Sequence, residues 1–161
     1  MWRRLRRVVI GLALAVLAGP PLLLALYRAV PPPITPLMVI RLFEGEGLRH
    51  EWVDLEAISP HLRAAVVAAE DNLFCRHNGF DVDSLRDAVA EWRGGGRARG
   101  ASTISMQTSK NLFLWPDRSL LRKVLEAYVT VWMELLWPKP RIVEVYLNVA
   151  EWGPGVYGAE A

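Results

Sequence analysis

Glu70-Asp71-Asn72-Leu73-Phe74-Cys75-Arg76-His77-Asn78-Gly79-Phe80-Asp81 is the stretch on which the rest of the chain turns. It sets two adjacent carboxylates, an aromatic, an arginine and a histidine at the end of an alanine-rich run, in which Leu62, Ala65, Val66 and Ala69 recur at helical spacing. Ser59-Pro60 ahead of that run is an N-cap followed by proline at the first helical position. The pattern therefore predicts a helix that starts at Ser59 and ends in Glu70-Asp71. Such an acidic end has two readings. One is a solvated helix terminus. The other is a carboxylate held for chemistry, which works best when partly shielded so that its pKa lies near the working pH. In that reading Phe74, one turn on, shields Glu70, and Arg76 and His77 orient it. The stretch alone leaves both open.

Downstream the chain continues to read as helices. A second helix starts near Asp81 or Asp83 and carries Leu85, Ala88, Val89 and Trp92. Gly94-Gly95-Gly96-Arg97-Ala98-Arg99-Gly100 is a flexible basic loop. Ser102 caps a third helix reaching about Leu112. A fourth runs from after Trp115-Pro116 to Trp137-Pro138, with Leu121, Val124, Leu125, Tyr128, Trp132 and Leu135 expected on its inner face, and Pro140 opens a fifth that ends near Asn148. Strand signals are few, so the expected class is mainly α.

Two of these elements carry charge patterns with a chemical reading. A glycine-rich basic loop feeding a Ser/Thr-capped helix is a potential phosphate site, because free backbone N–H groups and the helix dipole favour an anion. The Gly-Lys-Ser/Thr ending of a Walker A loop is absent. On the same helix Thr103, Gln107 and Lys110 share a face, which is equally the pattern of a solvated surface. The fourth helix brings Arg118, Arg122, Lys123, Glu126 and Glu134. Read as intrahelical ion pairs, these contribute only about a few tenths of a kcal/mol each. Read as a second carboxylate opposite Glu70 with cations around it, they suit glycosyl chemistry with a phosphate leaving group.

Toward the N-terminus, Val8 to Tyr27 is an apolar run of about the ~20 residues a bilayer-spanning helix needs. Gly19-Pro20-Pro21 interrupts it, and proline is tolerated in membrane helices where the freed backbone groups find partners. The alternative is a cleaved signal peptide, with Arg3, Arg4, Arg6 and Arg7 as its basic start. Four arginines before the run and one after it place the N-terminus in the cytoplasm. Pro31-Pro32-Pro33 is a stiff spacer, and Ile34 to Phe43 is a strand or a segment lying in the membrane interface. The 161 residues suit one domain with a small appendage, and the mean hydropathy of +0.17 reflects the apolar N-terminus. A single cysteine, Cys75, excludes an internal disulfide and a cysteine-rich metal site. Seven tryptophans suit a membrane surface or a sugar site as well as a core.

With these residues in view, a family resemblance emerges. Ala69-Glu70-Asp71-x-x-Phe74-x-x-His77-x-Gly79-Phe80-Asp81 resembles the first motif of the peptidoglycan glycosyltransferases (glycosyltransferase family 51). Gly100-Ala101-Ser102-Thr103-Ile104-Ser105-Met106-Gln107-x-x-Lys110-Asn111-Leu112-Phe113-Leu114 resembles the second. Arg122-Lys123-x-x-Glu126 is similar to the third, Ile142-x-Glu144-x-Tyr146-Leu147-Asn148 to the fourth, and Gly155-Val156-Tyr157-Gly158-Ala159-Glu160-Ala161 to the opening of the fifth. The motifs occur in order, and a single anchor with no transpeptidase domain is similar to the monofunctional members.

The resemblance implies a mainly α, lysozyme-like glycosyltransferase domain with head and jaw lobes, behind one N-terminal transmembrane helix. It divides the chain into an anchor over residues 1–30, a membrane-proximal linker over 31–52 and a catalytic domain over 53–161. The family domain continues beyond its fifth motif, so Ala161 is expected to fall inside it. The implied reaction polymerises lipid II into β-1,4-linked glycan strands with inversion and release of undecaprenyl pyrophosphate, for cell wall synthesis at the outer face of the cytoplasmic (inner) membrane. By that analogy Glu70 is the base and Glu126 the second catalytic carboxylate. Asp71 and Phe74 support Glu70, while Ser102, Gln107 and Asn111 line the substrate site. Lys110, Arg118, Arg122 and Lys123 surround the pyrophosphate. No cofactor is required, although a divalent metal (Mg or Mn) is an implied stimulant. Expected partners are lipid II, the growing glycan strand, the membrane and other wall-synthesis or division proteins, with no nucleic acid. Met106 departs from the glutamine many members carry there. Two other readings remain: a lysozyme-like peptidoglycan-cleaving enzyme, and an inactive membrane-anchored wall-synthesis scaffold.

Overall fold

The computed structural model describes residues 1–95, 100–117 and 119–159. Seven helices occur among them: α1 Trp2–Tyr27, α2 Pro36–Phe43, α3 Pro60–Glu70, α4 Val82–Arg93, α5 Ile104–Phe113, α6 Leu120–Leu136 and α7 Lys139–Val149. Three short strands, β1 Arg49–His50, β2 Glu151–Gly153 and β3 Val156–Tyr157, form one sheet in the order β1-β3-β2. The expected mainly α class holds. The segment left open as strand or interfacial stretch is helical over Pro36–Phe43, with Thr35 Oγ1 accepting from the Met38 N–H at its start.

The centre of the domain is α5, packed on both α6 and α7. Its Ser105, Thr108 and Ser109 are fully buried, as is Thr130 of α6. Small hydroxyl side chains let the helices approach closely, and their oxygens are satisfied locally: Thr108 donates to the Ile104 carbonyl at 2.8 Å and Thr130 to the Glu126 carbonyl at 2.7 Å. Around them Ile104, Leu112, Val129, Met133, Ile142, Val145, Leu147 and Val149 form the apolar core. Asn148 of α7 binds Val53 as a strand would, accepting from its N–H and donating to its carbonyl, both at 2.8 Å. The helix cap at α5 is Thr103, one residue later than the expected Ser102.

Two apolar faces differ from expectation. On α6, Leu121, Val124, Trp132 and Leu135 are exposed, and the face turned inward carries Arg122, Glu126, Val129, Thr130 and Met133. Periodicity identifies a stripe but not the direction it faces. Here the α1 helix lies against α6, so part of the stripe borders α1, while the inner face holds the charge cluster described below. On α4, Leu85 and Val89 are likewise exposed.

The contact with α1 is specific. Pro21 has no N–H to offer the Leu17 carbonyl four residues earlier, and the Tyr128 hydroxyl donates to that carbonyl instead. Trp137 Nε1 donates to the Leu24 carbonyl at 2.6 Å. At the helix end Arg141 donates to the Tyr27 carbonyl at 2.7 Å, one of the groups a helix C-terminus leaves unpaired, and just past it to the Val30 carbonyl at 3.0 Å. With a mean hydropathy of 2.4 over its most apolar 18-residue window, α1 is long and apolar enough to cross a membrane.

The turn after α3 is held by Gly79, whose φ is +86°. A Cβ there would lie 2.7 Å from Thr130 Cγ2 and 3.0 Å from Glu134 Cγ. Gly79→Ala combines a left-handed backbone with a clash against α6, so it is expected to destabilise the fold by at least about 2 kcal/mol. Denaturant unfolding checks this, and a wild-type midpoint would show that α6 does not press on the turn.

Candidate active site

Glu70 is the last residue of α3 and is exposed. It lies between two cavities. One, of about 340 Å³, is lined by Glu70, Asp71, Asp81, Ser84, Asp87, Glu91 and the segment Gly100–Thr103. The other, of about 260 Å³, is lined by Ala65, Val66, Ala69, Glu70, Tyr146 and Trp152. Ala65 and Ala69, two of the residues at helical spacing, are exposed and line this cavity beside the carboxylate. Gln107 Nε2 donates to Glu70 Oε2 at 2.9 Å. Arg76 and His77 do not orient Glu70 as expected. His77 Nε2 donates to Asp71 at 2.8 Å, and Arg76 is exposed.

Asp71 is the residue that holds this end of α3 in place. It is 7% exposed, and its second oxygen accepts the N–H of Ile104, the first residue of α5, at 3.0 Å. A carboxylate at a helix N-terminus meets unpaired N–H groups and the positive end of the dipole. The Thr103 hydroxyl adds a 2.6 Å bond to the Gly79 carbonyl. Phe74 is 1% exposed and lies beneath the site, edge-on to His77 and with Lys139 Nζ 4.2 Å from its ring centre. Asp71 and Phe74 thus both sit next to Glu70, Asp71 also lining the larger cavity.

The second half of the site is on α6. Glu126 is 2% exposed, accepting from Arg122 Nη1 through one oxygen and from Lys123 Nζ, at 2.6 Å, through the other. This is not the exposed ion-pair ladder that spacing alone allows. Lys123 also reaches Ser102 Oγ at 3.3 Å. Lys110 faces the same group: burial pushes its ammonium below the usual 10.5, Arg122 and Lys123 add to the shift, and Glu126 opposes it. Three cations around one carboxylate leave an excess of positive charge, which suits a phosphate-type anion. Asn111 is buried on α5, Met106 is also buried, and Arg118, Arg97 and Arg99 lie outside the described residues.

One connected path therefore runs Glu70–Gln107–Ser102–Lys123–Glu126, the Gln107–Ser102 link being a 3.5 Å bond to the Ser102 carbonyl. Tyr146 and Trp152 beside Glu70 are site residues that spacing did not single out. Tyr146 sits in the Glu144-x-Tyr146-Leu147-Asn148 stretch, but nothing local to it points at a carboxylate 76 positions earlier. Among the described residues, no group of three or more His, Cys, Asp or Glu is arranged to hold a metal. Both oxygens of Glu126 are taken by Arg122 and Lys123, so this carboxylate does not fit a metal ligand.

The fold and this cleft, with a carboxylate at one end and a cation cluster at the other, point to the class. A family model described as Transglycosylase matches residues 38–161. The biosynthetic peptidoglycan transglycosylase of Caulobacter vibrioides is 53% identical over 159 residues, spanning 99% of this chain and 69% of the relative. Proteins of the same name from Rhodospirillum centenum and Pseudomonas syringae pv. syringae are 57% and 52% identical, with 68% and 69% of their lengths covered. The chain belongs to the transglycosylase family, whose domain is lysozyme-like.

Two outcomes test the cluster. Glu126→Ala leaves Arg122 buried without its counter-charge and is expected to destabilise by about 3–5 kcal/mol in denaturant unfolding. For Lys110, as pH rises from its lowered folded value toward 10.5, the folded protein loses a proton that the unfolded chain keeps. The unfolded state then binds more protons, so stability rises with pH in that window. Affinity for inorganic pyrophosphate, read by calorimetry, falls over the same window as the cluster loses a charge. Lys110→Arg is expected to remove both trends.

Proposed function

We propose that this cleft polymerises lipid II, with Glu70 as the base and the Lys110, Arg122 and Lys123 cluster receiving the leaving group. At the coarser level the chain is a peptidoglycan glycosyltransferase serving cell wall synthesis. The observation that carries the finer reading is the hydrogen-bonded path from an exposed carboxylate to a cation cluster across the N-terminal end of α5. Glu70 takes the proton of the N-acetylglucosamine 4-hydroxyl. The freed oxygen attacks C1 of the N-acetylmuramic acid on the growing strand from the opposite face, and the C1–O bond to undecaprenyl pyrophosphate breaks with its electron pair going to the phosphate oxygen. Pyrophosphate needs charge stabilisation more than protonation, which is what fixed cations supply.

A peptidoglycan-cleaving enzyme has the opposite requirement. It must protonate a sugar leaving group with a carboxylic acid, and three cations near Glu126 would have no part in it. Gln107 binds Glu70 Oε2, and among the described residues none is bonded to Oε1, which leaves that oxygen for a sugar hydroxyl. Lys110, Lys123, Ser102 and Gln107 are the proposed substrate contacts, with Arg118 and Asn111 carried by resemblance.

The chain divides, in this reading, into an anchor over 1–30, a membrane-proximal segment over 31–52 and the catalytic domain over 53–161. Arg3, Arg4, Arg6 and Arg7 at one end of α1, against Arg28 at the other, favour a cytoplasmic N-terminus and a periplasmic catalytic domain. The bonds from Tyr128, Trp137 and Arg141 to the anchor would hold the cleft near the membrane surface where a lipid-linked sugar presents its pyrophosphate.

The full chain in micelles is expected to convert lipid II to glycan strands, and Glu70→Gln to slow this by about 100-fold or more without changing the unfolding midpoint. Release of soluble muropeptides from intact sacculi, with lipid II untouched, would instead establish the cleaving enzyme. Lipid II binding with no turnover would establish the scaffold.

A further inference from the structure

Gln107 has an amide with a donor end and an acceptor end, and its surroundings read both. Nε2 faces Glu70 Oε2 at 2.9 Å and the Ser102 carbonyl at 3.5 Å, two groups that only accept. Oε1 faces the Tyr146 hydroxyl at 3.5 Å. Tyr146 comes from α7 and is 6% exposed, and it shares with Glu70 the wall of the smaller cavity. A flipped amide would point its oxygen at the Glu70 carboxylate and its donor at a phenol. The phenol therefore completes the one arrangement in which each end of Gln107 meets its complement.

We propose that Tyr146 is a positioning residue for the Glu70 base, acting through Gln107. By giving Oε1 a donor, Tyr146 keeps Nε2 on Glu70 Oε2, which fixes the carboxylate plane and turns Oε1 of Glu70 toward the cavities. Burial, and after it the charge of Glu70, pushes the Tyr146 phenol up to about 12, so it stays a donor through the neutral range. The other titratable groups facing Glu70 are Asp71 on its own turn and Asp81, Asp87 and Glu91 across the larger cavity, with Lys123 one hydroxyl further away. None of these offers a bond to Oε1 of Gln107.

The inference rests on the reading of Glu70 as base, and two measurements on the full chain in micelles separate the two. The first is independent of turnover. The Gln107 side-chain amide signal, assigned by its loss in Gln107→Ala, is expected to move both in Glu70→Gln and in Tyr146→Phe. An amide signal unchanged by Tyr146→Phe overturns the inference whether or not lipid II is polymerised. The second is kinetic. Tyr146→Phe is expected to lower kcat about fivefold, the worth of one hydrogen bond, with KM and the unfolding midpoint unchanged, and to have no further effect in a Gln107→Ala background. An equal loss in both backgrounds, or a rise in KM alone, assigns Tyr146 a separate role and overturns the inference. A wild-type chain that leaves lipid II untouched defeats the proposed function, while the amide signal still decides the role of Tyr146.

Discussion

The buried carboxylate of Asp71 is the constraint on which the site depends. It accepts from His77 on one side and from the first N–H of α5 on the other. Burying a carboxylate is unfavourable unless its oxygens are bonded, so this residue tolerates only arrangements in which the turn after α3 and the start of α5 meet. That junction places Glu70, its neighbour in sequence, within reach of Gln107, one turn into α5. An exposed carboxylate thus gains a defined position from a buried one. Its freedom to meet a ligand and its fixed place are supplied by different residues.

The same helix carries the link to the second charge centre. A conventional core helix at the middle of three packed helices would be lined with leucine and would keep its neighbours further apart. With Ser105, Thr108 and Ser109 at its contacts, α5 admits α6 closely enough for Lys123 to touch Ser102 and for Glu126 to be enclosed. Enclosing Glu126 is costly in isolation, and Arg122 and Lys123 offset it. Such a buried group contributes less to net stability than to the choice of one geometry. Here that geometry is a cation cluster held at one end of a path whose other end is Glu70.

The apolar helix α1 is joined to this assembly rather than tethered to it. Pro21 removes a donor from α1, and Tyr128 of α6 supplies the missing bond. Arg141, four residues before Val145 in the core helix α7, closes the open carbonyls past the end of α1. In a membrane setting an unpaired carbonyl is especially unfavourable, so these bonds favour a fixed angle between the anchor and the helices bearing the site. The outward apolar stripe of α6 lies on the same side of the molecule as this contact.

By itself the sequence determined helices α3 to α7, to within about three residues where an end was read, because caps, prolines and apolar spacing are local properties. It did not show α2 as a helix, and α1 begins well before the apolar run at Val8. Ser59-Pro60 and Pro140 each mark a start seen in the structure. The sequence also showed an N-terminal apolar run long enough to cross a membrane, and the family, through motifs whose order spans the chain. What it left open was direction and pairing. The apolar stripe of α6 was legible but not the side it faces, and Arg122 to Glu126 was legible as a pair but not as a buried one. His77 was legible beside Glu70, yet it bonds Asp71. Tyr146 was legible as a residue of a motif, without a partner. Only the tertiary structure decided these, because burial, the Asp71 junction and the Tyr146–Gln107–Glu70 contact join residues tens of positions apart, where spacing along one helix carries no information.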